Sequence, residues 1–135
     1  MVQHPMQVTA HALEIPRVNI QKSEMQMMLK DYQGAIITST ALVRENPENP
    51  VPLLNRAICE FQLNRLKDAK NDYEALEKMV PEPSFMIYYG LAQVAQKLKD
   101  NPAEIRYDRL YLQYAPHETA EFTNVTRQLH ELEGR

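Results

Sequence analysis

Tryptophan is absent, cysteine occurs once, and only three glycines are spread over 135 residues. A single cysteine, Cys59, makes neither an intrachain disulfide nor a multi-cysteine zinc site. It reads as a small buried apolar residue rather than a nucleophile, and it leaves a reducing compartment, the cytoplasm first, open. Gly34, Gly90 and Gly134 cannot build a loop that cradles phosphate, and no serine nucleophile elbow occurs. No apolar run approaches the roughly 20 residues of a membrane-spanning helix. The opening MVQHPMQVTAHALEIP has neither the basic start nor the apolar core of a secretory signal. No long block of one charge sign exists and the net charge is −3, so nucleic acid is not expected as the main partner, since such binding rests on neutralising phosphates. His4, His11, His117 and His130 have no Cys, Asp or second His at a metal-ligand step on a shared face. His117 and Glu121, four apart, make no site alone. No metal, cofactor or catalytic constellation is expected.

What is present is a period. Residues 53–81 read LLNRAICEFQLNRLKDAKNDYEALEKMVP. Leu53, Arg56, Ala57 and Glu60 precede Ala69, Tyr73 and Pro81. Tyr32, Ala35 and Pro47 recur 34 positions later as Leu66, Ala69 and Pro81, and Leu29 recurs as Leu63. Ala69, Tyr73 and Leu76 recur 34 positions later as Ala103, Tyr107 and Leu110, while Pro81 and Pro116 are 35 apart. One helix-turn-helix unit thus occurs three times, over 16–48, 49–81 and 82–116. This spacing resembles the tetratricopeptide repeat. The resemblance implies an all-α solenoid of antiparallel helix pairs stacked into a right-handed superhelix.

Taken in order, residues 1–15 show no period and read as an N-terminal arm, with a short helix around 8–13. Pro5 and Pro16 hold the residue before each in extended forms. The first front helix, 17–30, carries Val18, Ile20, Met25, Met27, Met28 and Leu29, and its methionines read as core. Tyr32 is expected to wedge into the turn before the back helix, 34–44. Asn49 and Pro50 start the second pair as cap and first residue. Leu53, Ala57, Cys59 and Leu63 are expected to face the partner helix, with Val51, Leu54, Ile58 and Phe61 on another side. Ala69, Tyr73, Leu76 and Val80 form the stripe of the second back helix, and the charged residues off that stripe, Asp72 among them, read as a solvated face. In the third pair Tyr88, Leu91, Ala92 and Ala95 fit the front helix only when shifted by one. The back helix, with Ala103, Tyr107, Leu110, Tyr111 and Tyr114, fits unshifted, which predicts a turn near 99–102 shorter by one residue. Asn101-Pro102 is expected to repeat the cap-then-proline start. A last amphipathic helix, 119–132, with Phe122, Val125, Leu129 and Leu132 on one face, lies in the segment 117–135 and reads as the cover of an otherwise exposed solenoid end.

The resemblance further implies a non-catalytic protein-protein interaction module, a scaffold or adaptor whose front helices line a concave face for a partner's peptide or amphipathic helix. Carried onto this chain, that groove is Ile20, Glu24 and Met27, then Val51, Leu54, Asn55, Ile58 and Phe61, then Phe85, Tyr88 or Tyr89, and Ala92. The lining is mostly apolar. It also suits occupation by the arm or self-association, and the secretion chaperones of the same family bind apolar cargo segments. A structural reading stands beside these: the C-terminal end of a longer solenoid. One branch of the family clamps a C-terminal carboxylate with Lys, Asn and Arg. Those places fall on Ile20, Glu24 and Asn55, and on Phe85 and Tyr89 or Met86 and Gly90. Only Asn55 fits, so the cations that would pair with a carboxylate are missing. A peptide ending in a free carboxylate is therefore expected to bind no more tightly than its amidated form in a calorimetric titration; a strong preference for the acid would refute the reading.

Overall fold

The computed structural model describes residues 20–134. The arm assigned to residues 1–15 and the first residues of the first repeat lie outside them. Seven helices and no strands occur among the described residues: α1 (through 20–28), α2 (Tyr32–Glu45), α3 (Pro50–Gln62), α4 (Leu66–Met79), α5 (Phe85–Leu98), α6 (Asn101–Tyr114) and α7 (Phe122–Glu133). From α2 onward each helix packs on the next in the chain, which is the layout of a helical-repeat solenoid.

Local chemistry sets the helix boundaries. Asn49 accepts the amide of Val51 at 3.0 Å, and Pro50 and Pro52 occupy positions where a helix has amides to spare. Asp31 caps α2 through the amide of Gly34, and Asp100 caps α6 through that of Ala103. The cap of α6 is therefore Asp100, one residue before the expected Asn101. Within each pair the turn is built the same way. Lys30, Asn64 and Lys99 adopt positive φ of 61°, 60° and 57°. The next residue's amide, in Asp31, Arg65 or Asp100, returns to the carbonyl of Gln26, Glu60 or Ala95. That bond and the left-handed residue define a Schellman stop.

These three turns fix the register. The steps are 34 from Lys30 to Asn64 and 35 from Asn64 to Lys99. The extra residue lies between α4 and α5, so the third turn is not shorter; both helices of the third pair are shifted by one. Ala35, Ala69 and Glu104 are then equivalent, as are Ser39, Tyr73 and Asp108, and Leu42, Leu76 and Tyr111. All nine are buried. The expected alignment of Ala69 with Ala103 and of Tyr73 with Tyr107 is overturned.

The main core joins the second and third pairs to α7 through Leu53, Ala57, Ala69, Tyr73, Leu76, Tyr88, Leu91, Tyr107, Tyr111 and Val125. A smaller core holds Ala35, Ile36 and Cys59, with Met27 and Tyr32 packed against it. Cys59 thus faces α2, across the boundary between repeats, rather than α4. Leu63, expected beside it, caps α3 and is exposed. The core reading of the methionines fails for Met25 and Met28. Both are exposed, Met28 at 77%, as is Leu29. They lie off the strip of α1 that meets α2. At the other end α7 buries Val125 and Leu129, and an Arg109–Glu133 ion pair ties it to α6.

Gly90 on α5 lies directly beneath the ring of Tyr73, which a Cβ there would strike. A knob from one pair thus seats on a hole in the next. Gly90→Ala adds helix propensity, about 1 kcal/mol, yet it displaces a ring fixed in the core, which costs about 1–3 kcal/mol. The expected result is a lower urea midpoint. In a Tyr73→Leu background the same substitution is expected to stabilise, and a double-mutant cycle measures the difference.

Candidate functional site

The register identifies which side chains occupy the expected groove positions. On α1, α3 and α5 the equivalent positions are Ile20, Leu54 and Tyr89; Glu24, Ile58 and Gln93; and Met27, Phe61 and Gln96. All of these are half-buried or exposed. Leu54, Phe61 and Tyr89 pack partly against the main core, and Val51 is 40% exposed nearby on α3. The expected groove residues therefore separate into two groups. Ile20, Glu24, Met27, Val51, Leu54, Ile58, Phe61, Phe85 and Tyr89 keep exposed surface. Tyr88, Ala92 and Asn55 do not. Tyr88 and Ala92 are equivalent to Leu53 and Ala57 and belong to the core. Asn55 is 7% exposed, and its amide donates to Ser23 Oγ at 3.3 Å. Of the two placements considered for the third helix's clamp positions, the register selects Met86 and Gly90, neither of them a cation.

The one-residue shift expected for α5 is the observed one, but Gln93 and Gln96 escaped sequence reasoning because the groove positions of that helix were carried over without it, as Tyr88 or Tyr89 and Ala92. A usable signal existed. Leu29-Lys30-Asp31 and Leu98-Lys99-Asp100 mark the same turn and fix the step. With them in place the expected groove changes character along its length. It is apolar at Leu54, Ile58 and Phe61 and amide-lined at Gln93 and Gln96. An aromatic cluster supports the third pair: the Tyr89 and Tyr111 rings lie 5.6 Å apart and Phe85 meets Tyr111 edge-on at 6.1 Å. The Tyr111 hydroxyl shares a hydrogen bond with Thr119 at 2.8 Å.

Two sets of buried charge lie behind this face. Between α3 and α4, Arg56 donates from Nε and Nη2 to both oxygens of Asp72, each at 2.8 Å. Its Nη1 reaches Thr40 Oγ1 on α2. Asp72 is therefore buried and paired, not part of a solvated face. Glu60 lies 3.9 Å from Arg56, and its second oxygen is buried without a partner. Burial first, then the hydrogen bond and charge of Asp72, push its carboxyl up to about 8 against the pull of Arg56. The second set is on α6, where Glu104 and Asp108 are both buried. Burial, reinforced by the charge of Glu104, pushes Asp108 up to about 7. Cys59 is pushed up to about 11, mainly by burial, so its thiol stays protonated and inert. Among the described residues no group of three His, Cys, Asp or Glu is arranged to hold a metal. No described helix is long and apolar enough to cross a membrane.

No protein-family model and no curated protein sequence matches the chain. Solved structures do resemble it. The first tetratricopeptide-repeat domain of Spaghetti (RPAP3), bound to the HSP90 peptide SRMEEVD, superposes with a TM-score of 0.78 at 20% identity, over 88% of this chain and 90% of that one. The type III secretion translocator chaperone SycD of Yersinia enterocolitica gives 0.80 at 13%, over 87% and 82%. The TPR2B domain of yeast Sti1, in its pHsp70 complex, gives 0.77 at 12%, over 88% and 96%. The fold is that of tetratricopeptide-repeat domains.

Glu60 and Asp108 both bind a proton more tightly folded than unfolded. Their contribution to stability is complete below their unfolded values, near 4, and is lost as pH rises to about 8 and about 7. Melting temperature is therefore expected to fall between pH 5 and pH 8, by roughly 5 °C or more for a loss of a kcal/mol or two. Calorimetry of Glu60→Gln and Asp108→Asn together should show a flatter profile; an unchanged slope would place the dependence elsewhere.

Proposed function

We propose that this chain is a non-catalytic protein-interaction module that holds a peptide or helical segment of a partner protein against its concave face. The observation that carries this reading is the stripe Leu54, Ile58 and Phe61 on α3. It repeats at steps of four and three, so it is one helix face, and it keeps apolar surface exposed beside an ordered core. Two of the similar structures were solved with chaperone peptides or complexes, which supports peptide binding on this fold. The carboxylate clamp has no counterpart here, because Asn55 is buried and Ile20, Glu24, Met86 and Gly90 supply no cation. Contacts to this groove are therefore apolar at α3 and reach the partner's side chains rather than its terminus.

The first helix pair favours a second reading. Met25, Met28, Leu29 and Ile37 are all exposed there. Large apolar side chains at one end of a stack suit contact with further helical structure: another part of a longer solenoid, the arm, or a second copy. The Yersinia secretion chaperone among the similar structures keeps a chaperone role within the same reading.

A crosslinking pull-down from the source organism tests the groove, using the wild-type chain and a Leu54→Glu/Phe61→Glu variant of unchanged helical circular dichroism. A protein captured by the wild type and lost from the variant is the expected result. Equal capture by both would move the interaction to another face.

A further inference from the structure

Asp108 is 1% exposed, and neither of its oxygens has a hydrogen-bond partner among the described residues. It stands where the second repeat has Tyr73. There the ring fills the space over Gly90. Here the shorter acid leaves a cavity of about 40 Å³ against Val125 of α7. The walls are Tyr89, Gln93 and Gln96 from α5 and Gln128 from α7. The Gln93 amide already donates to the Tyr89 hydroxyl at 3.3 Å. Gln96 and Gln128 also line an adjoining hollow of about 360 Å³, together with Lys99, Glu104 and Glu131. Among the described residues no cation lines the inner cavity. A buried carboxylate without donors or counter-charge is costly. The cavity exceeds the 10–15 Å³ or so that one water needs.

We propose that the cavity beside Asp108 receives a cationic side chain, the guanidinium or ammonium of an arginine or lysine in the bound segment, with Asp108 as counter-ion and the glutamine carbonyls as further acceptors. The inference deepens the groove reading and rests on it: Gln93 and Gln96 occupy on α5 the places of Ile58 and Phe61 on α3. The bound segment would then carry apolar residues over α3 and a basic residue over α5. This inverts the polarity of a carboxylate clamp.

The test is an NMR titration of the full chain at slightly alkaline pH with N-acetyl-arginine amide, and with N-acetyl-citrulline amide as the uncharged isostere. The groups facing Asp108 are Tyr89, Gln93 and Gln96 from α5, Glu104 from α6 and Gln128 from α7, so its own carboxyl carbon must be followed directly. The arginine compound is expected to shift the side-chain amides of Gln93, Gln96 and Gln128 saturably at millimolar concentration, and to lower the titration midpoint of Asp108. Citrulline should do neither. Asp108→Asn, with an otherwise unchanged amide spectrum, should weaken the response by about tenfold. Equal shifts from both compounds, an unaffected variant, or no saturable response would each overturn the proposal and leave buried water as the occupant. Leu54→Glu/Phe61→Glu lies outside the cavity and should keep the arginine response, so failure of the apolar groove and failure of the cation site are separable.

Discussion

The left-handed residue that closes each front helix governs this structure. A Schellman stop fixes where the back helix begins, and therefore which side chains of each pair meet. Three such stops at Lys30, Asn64 and Lys99 impose one geometry on three dissimilar sequences. None of the three residues is glycine, so each turn accepts the steric cost of a Cβ in the left-handed region. That cost is tolerated because the returning amide and the cap that follows satisfy groups otherwise left open at two helix ends.

Once the turns are set, similar positions carry dissimilar chemistry. Ser39, Tyr73 and Asp108 occupy one site in successive repeats, and each meets what the next pair offers. The tyrosine finds a glycine and seals the boundary. The aspartate finds a valine too small to reach it, and a void remains. Arg56 solves a related problem differently: a bidentate pair with Asp72 occupies a boundary that larger apolar residues would otherwise fill. Ion pairs of this kind are weak contributors to stability, which leaves the apolar core from α3 to α7 as the larger source of it.

Much of the architecture was legible because a period survives substitution at individual sites. Ala35, Ala69 and Leu76 mark close helix approach, and Asn49-Pro50 marks a helix start. The third repeat misled for a physical reason. Ala103, Tyr107 and Leu110 reproduce the pattern of Ala69, Tyr73 and Leu76 one residue before the true match, and a slip of one position turns a helix by about 100°. The result hid Glu104 and Asp108, which composition marks as surface residues. On α5, separately, the unshifted step put Tyr88 and Ala92, both core residues, among the expected groove positions in place of Gln93 and Gln96. The methionines of α1 misled differently. Hydrophobicity argues for burial, but one strip of α1 suffices to meet α2, and Met25 and Met28 fall outside it.

The sequential packing of α2 on α3 and onward to α7 has a kinetic consequence. Nearly every contact joins chain segments within a few tens of residues of one another, so the entropy of closing each loop is small and contact order is low. Ordering can start in one pair and spread to its neighbours, as in a zipper. The densest shared core lies between α3 and α6, which marks those helices as the place where amide protons exchange last. Helices farther from that core are expected to open earlier.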